Sequence, residues 1–122
     1  MNICCWNIRG LSDSCKQYAV TNLVKDYNIN IIGLVENKVK IENVQSIFKK
    51  CLPGWNSFHN GSGNDDCRVW FCGNPQAVKV SLADIHPQII TCSFEYGANA
   101  ALVFISFVYA EYERDGRVAL WR

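Results

Sequence analysis

Apolar positions along this chain recur with changing period, and the changes mark its elements. Residues 2–7 are apolar through Ile3, Cys4, Cys5 and Trp6, then meet Asn7, Ile8, Arg9 and Gly10, which predicts a strand ending in polar residues. In "SDSCKQYAVTNLVKDYN", Cys15, Ala19, Leu23 and Tyr27 recur at i, i+4, and Ser12 or Asp13 is placed to cap a helix. "INIIGLVEN" returns to strand character and ends in Glu36. A strand, a helix and a strand in that order imply a crossover, so strands one and two should be parallel. A second helix is predicted over "ENVQSIFKKCL", with Val44, Ile47, Phe48 and Cys51 inward and Pro53-Gly54 as its stop.

The second half reads differently. The turn-rich loop "NGSGNDD" separates the strand candidates "GWNSFHN" and "CRVWFCG". "AVKVSLADI" alternates Val78, Val80 and Leu82 with Lys79 and Ser81, the pattern of a half-buried strand. "QIITCSFEYG" and "ALVFISFVYA" follow around Gly97, and the second is apolar on both faces, which predicts a central, doubly covered strand. "RDGRVALWR" begins a helix. The expected fold class is α/β, with mixed sheets face to face and helices outside, in one domain over 1–122.

Composition narrows the function classes. The chain has 122 residues, 49% of them hydrophobic, enough for a real core. Its net charge of +1 excludes a basic nucleic-acid tail and an acidic solvating tail. No run reaches the roughly 18 apolar residues of a membrane span. The start lacks the basic region of a secretory leader. Seven cysteines, an odd number with no CxxC pair, suit reduced core hydrophobes of an intracellular protein better than disulfides or zinc.

Chemistry is expected at the ends of strands one and two. Side chains alternate along a strand, so Ile3, Cys5 and Asn7 share a face, as do Ile32, Leu34 and Glu36. Parallel neighbours would bring Asn7 and Glu36 out side by side at the carboxyl edge, where α/β proteins place ligands. Mg²⁺ takes oxygen ligands, commonly one or two carboxylates with water and substrate phosphate. Glu36 can supply a ligand, and Asn7 can orient water or a phosphate oxygen.

The stretches "CCWNIRGL", "INIIGLVENKV", "CRVWFCGNP" and "FVYAEYERDGRVALW" resemble, in order, blocks of the endonuclease/exonuclease/phosphatase family, whose fold is deoxyribonuclease-I-like. The blocks are most similar to the amino-terminal endonuclease domain of plant LINE-type non-LTR retrotransposons. The resemblance implies the amino-terminal half of a β-sandwich with flanking helices, and a Mg²⁺-dependent phosphodiesterase that nicks DNA. It makes Asn7 the active-site asparagine, Glu36 the metal-binding glutamate and Tyr109 the tyrosine at the scissile phosphate. Val35 and Asn37 depart from the Gln and Thr that usually flank the glutamate. The family's "GDFN"-like and "SDH" blocks do not occur in these residues. The chain is therefore expected to be a fragment, inactive alone and prone to self-association through exposed strands. DNA is the expected partner of the intact domain, and an intracellular setting, the nucleus included, is the expected location. A non-catalytic remnant that binds a partner, or a fragment of a phosphatase of the same fold, are the alternatives.

Other polar residues read as structure. His59 is expected to be a solvated loop histidine and His86 a turn residue before Pro87. Asp65 and Asp66 suit a solvated turn. Arg9 and Lys38 are ordinary exposed cations or phosphate attractors. Trp6 and Trp70 fall in strand patterns and are expected in the core.

Overall fold

The computed structural model describes residues 1–62, 66–110 and 114–121. Strand β1 (Ile3–Asn7) pairs in parallel with β2 (Ile31–Val39), and helix α1 (Ser14–Asp26) is the crossover between them. A short 3-10 turn leads into α2 (Val44–Cys51). Strands β3 (Asn56–His59) and β4 (Cys67–Gly73) complete a four-stranded sheet of order β1-β2-β4-β3. Strands β5 (Ser81–His86), β6 (Ile89–Tyr96) and β7 (Ala101–Val108) form an antiparallel sheet in that order. A five-residue helix, α3 (Arg114–Val118), and a 3-10 turn follow.

Helix α1 starts where Asp13, in extended conformation, accepts a hydrogen bond from the Cys15 N–H at 2.7 Å. Such a cap contributes about 1 kcal/mol. The buried face of α1 is not the expected one. Gln17 and Val20 are buried and Leu23 and Val24 pack beside them, whereas Cys15 and Tyr27 are exposed. Gln17 turns inward because its side-chain amide donates to the Leu11 carbonyl at 2.9 Å, which removes the cost of burying it. Helix α2 follows its apolar stripe, with Val44, Phe48 and Cys51 buried.

Two cores result. Val20, Ile32, Leu34, Phe48, Trp70 and Cys72 join α1 and α2 to the first sheet. Ile31, Val35, Val69, Phe71, Ile90 and Phe107 lie between the sheets. Alternation along β2 separates them, Ile32 and Leu34 facing the helices, Ile31 and Val35 facing the second sheet. Gly33 lies on the second face, and a Cβ there would overlap the Phe107 ring. Glycine thus allows β7 to cross β2 closely, with the Phe71 and Phe107 rings 5.0 Å apart between centroids.

Four further expectations from the sequence need correction. β7 is an edge strand, not a central one, and Leu102 and Phe104 are about three-fifths exposed, at 59% and 61%. Its apolar run covers two faces, but only Val103, Ile105 and Phe107 turn toward the other sheet. β5 begins at Ser81, so Val78 and Val80 are buried ahead of it while Leu82 is exposed. Of the seven cysteines, all free, Cys51, Cys67, Cys72 and Cys92 are buried, but Cys5 and Cys15 are exposed. His59 closes β3 opposite Trp70 and is half-buried, not in a solvated loop. Asp65 lies outside the described residues. No helix among the described residues is long and apolar enough to cross a membrane.

Candidate functional site

Two backbone irregularities meet at the carboxyl end of β1 and β2. Asn7, the last residue of β1, pairs with Val35. Beyond it, the Ile8 N–H donates to the Val35 carbonyl at 3.1 Å, Gly10 to Glu36 at 2.8 Å and Leu11 to Asn37 at 2.8 Å. The two segments therefore run together past the regular strand. On one side Arg9 and Gly10 have positive φ, 54° and 97°, and on the other Glu36 and Lys38 do, 56° and 54°. A left-handed backbone costs a non-glycine residue roughly 1–2 kcal/mol. Such costs collect at functional sites when the surroundings fix the chain.

The fixing groups are identifiable. Asn37 is fully buried, its amide donating to the Leu34 carbonyl at 3.1 Å and its oxygen accepting from the Val39 N–H at 3.2 Å. It spans the register shift between Val35 and Val39 and holds Glu36 and Lys38 on either side of itself. Across the edge, the Lys16 ammonium donates to the Arg9 carbonyl at 2.7 Å. This explains the polar "NIRG" ending of a first strand: Arg9 and Gly10 turn the chain so that its amides follow the Glu36 bulge.

Asn7 and Glu36 are neighbours by backbone, offset by one register position. Asn7 shares the face of Ile31, Gly33 and Val35, because it pairs with Val35. Strict alternation would put Glu36 on the opposite face with Leu34. Its positive φ ends the alternation there, so period two does not describe this position. Glu36 is one-fifth exposed, and one carboxylate oxygen lies 3.5 Å from the Lys38 ammonium, which is 64% exposed and weakly held.

Tyr109 is connected to β2 by a relay of hydrogen bonds. Val35 pairs with Val69. The Asn60 side-chain oxygen accepts from the Val69 N–H at 2.9 Å and the Arg68 N–H at 3.0 Å. The Asn60 amide donates to the carbonyls of His86, at 3.3 Å, and Pro87, at 2.9 Å. The next carbonyl, that of Gln88, accepts from the Tyr109 N–H at 2.9 Å. Tyr109 is half-buried against the core between the sheets. Asn60 thus ties β4, which pairs with β2 at Val35, to the turn whose Gln88 carbonyl holds the Tyr109 N–H. Asn60 was unreadable from sequence, since "HNGSG" has the composition of an ordinary turn.

The histidines serve structure here. His59 Nδ1 accepts from the Gly61 N–H at 3.2 Å, and burial lowers its pKa. His86 Nδ1 accepts from the Gln88 N–H at 3.3 Å in the β5–β6 turn. Among the described residues, no three of His, Cys, Asp and Glu lie close enough to hold a metal ion together. Glu36 can contribute one carboxylate, which fits part of a Mg²⁺ shell otherwise made of water and phosphate oxygen. Burial pushes the Cys51 and Cys67 thiols up to about 11 and that of Cys92 to about 12, so they are inert packing groups.

Two sheets face to face, helices outside the first and a polar edge at the strand ends define an α/β sandwich of the deoxyribonuclease-I-like kind. Among solved structures, the catalytic domain of human Nocturnin with bound sulfate anion is similar, with a TM-score of 0.55 and 12% identity. The likeness covers 89% of this chain and 50% of that chain, so these residues span about half the neighbour's length. That neighbour has the endonuclease/exonuclease/phosphatase fold. No family model matches the chain, and no curated protein does.

Proposed function

We propose that the chain carries half of a Mg²⁺-dependent phosphodiesterase that nicks DNA, as the endonuclease of a LINE-type retrotransposon does to give a primer end for reverse transcription. What supports this reading is a deoxyribonuclease-I-like sandwich in which the end of β1 runs beside the Glu36 bulge, Asn7 pairing with Val35 and Gly10 donating to the Glu36 carbonyl. The amide of Asn7 orients a phosphate oxygen, and the Tyr109 hydroxyl donates to another, which holds the phosphorus in line for attack. The Glu36 carboxylate would hold the cation, with Lys38 beside it at 3.5 Å from one carboxylate oxygen. Bound there, a divalent ion would stabilise charge on the phosphate and on the leaving oxygen. Among the described residues no acid-histidine pair accompanies Asn7, Glu36 and Tyr109, so the proton of the attacking water would go to a base outside them.

The test joins residues 1–122 to the missing half of a related element and follows plasmid nicking with Mg²⁺. Glu36→Ala and Asn7→Ala should each slow nicking by about 10²–10³. Nicking that Glu36→Ala leaves undiminished would refute the assigned roles.

A further inference from the structure

A hollow opens at the end of the first sheet opposite to Asn7 and Glu36. It lies where α1 and α2 both stop, beside the end of β4, and has a volume of about 360 Å³. Small-molecule sites commonly enclose roughly 300–1,000 Å³. The Asn74 N–H donates to the Asn30 carbonyl at 2.9 Å there, which fixes the turn after β4 to the start of β2. The residues from Ile31 to Val35 separate this end from the Glu36 bulge, roughly 16 Å of strand.

Hydrogen bonds that close the two helices also build the walls. The Thr21 hydroxyl donates to the Cys51 carbonyl at 2.7 Å and joins α1 to α2. The Ile29 N–H donates to the Val24 carbonyl at 3.0 Å and the Trp55 N–H to the Leu52 carbonyl at 3.2 Å. Val24, Ile29 and Leu52 give the hollow its apolar lining, and Trp55, half-buried on the first core, gives it an aromatic wall. These bonds occupy the helix-end carbonyls, so donors are left in excess. Asn74 Oδ1 accepts from the Gln76 N–H at 3.1 Å, which leaves its amide N–H groups to donate. Among the described residues, the Lys25 ammonium, the Asn28 side-chain amide and the Trp55 indole N–H have no hydrogen-bond partner. Among the described lining residues, Lys25 alone is charged, and its neighbour Asp26 does not line the hollow.

We propose that this hollow binds a nucleotide, its base stacked on Trp55 and its phosphate held by Lys25, with Asn28 and Asn74 as further donors. An indole wall selects a planar ring. A positive charge among unpaired N–H groups selects an anion with several acceptor oxygens. A ring without charge would leave the ammonium unanswered, and a bare anion would leave the indole and the apolar lining uncovered. The inference is independent of the nuclease reading and survives its failure.

The probe is dAMP, added to the 122-residue chain and followed by calorimetry and tryptophan fluorescence. It should bind one to one and quench the fluorescence. Lys25→Gln, at an exposed position, should weaken dAMP about tenfold and leave the weaker binding of adenosine as it was. Trp55→Leu should weaken dAMP about tenfold or more, and Trp55→Phe, which keeps a ring, should restore most of the affinity. Urea titration checks that each variant is folded. Absence of dAMP binding at millimolar concentration would overturn the proposal. So would adenosine binding as tightly as dAMP, dAMP binding that Lys25→Gln leaves unchanged, or displacement of dAMP by an equal concentration of inorganic phosphate. A single-stranded oligonucleotide with a 5′-phosphate separates the two sources of such a ligand. Competition with dAMP would assign the hollow to a strand end, and failure to compete would assign it to a free nucleotide.

Discussion

Glu36 occupies a conformation that its side chain disfavours and glycine does not. Removing the Cβ relieves roughly 1–2 kcal/mol of strain but adds about 0.5–1 kcal/mol of unfolded-state entropy. Glu36→Gly should therefore leave stability unchanged or raise it by up to about 1.5 kcal/mol, measured by urea denaturation, while the completed domain loses nicking. A loss above about 1 kcal/mol would show that the carboxylate holds the fold rather than the function. The placement of Asn7 at the end of β1 and of Glu36 in β2 was legible in the sequence, because apolar periods locate the strands. The supports were not. Asn37 is buried by a register shift, and a shift leaves no periodic trace in the chain.

At the scale of elements, Asn60 links two strands, β4 and β5, that belong to different sheets. It accepts twice from β4 and donates twice to the β5–β6 turn. Intramolecular hydrogen bonds contribute about 0.5–1.5 kcal/mol each, and buried partners left unpaired cost more. Asn60→Ala should lower stability by about 2–4 kcal/mol in urea titration. In the completed domain it should also loosen Tyr109 relative to Glu36, read as slower nicking at full folding. A loss below about 0.5 kcal/mol would mean that the core alone aligns the sheets. The elements themselves were largely readable. β1, β2, α2, β4 and β6 fall where their apolar periods lie. The inner face of α1 departs from its apolar period because Gln17, with a buried partner, takes the place of Cys15 and Tyr27. β7 was read as central because its outward residues are apolar too, and periodicity cannot tell a covered face from an uncovered one.

At the scale of the whole molecule, two properties of the chain alone follow from what surrounds β7 and Glu36. Leu102, Phe104 and Val108 stand 59%, 61% and 43% exposed on the outer face of the second sheet. An uncovered apolar strand is a template for aggregation. Association should therefore rise with concentration. Activity should be absent, since residues of one catalytic unit are strongly non-additive and half a constellation does not give half a rate. Size-exclusion chromatography and a plasmid assay with Mg²⁺ and with EDTA check both. A monodisperse chain that nicks DNA only with the metal would place the catalytic residues elsewhere in these 122 residues.

The sequence by itself determined the class of fold and the order of its elements, because periods of 2 and 3.6 are local properties of the chain. It also determined that β1 and β2 run parallel, since a helix between two strands of one sheet forces the crossover. Tertiary structure alone decided the order of the strands in each sheet, which faces meet between the sheets and which residues hold the strand ends. Those depend on contacts between distant segments. Gly33 under Phe107, Asn60 between β4 and the β5–β6 turn, and Glu36 beside Gly10 are each made by residues that no local pattern pairs.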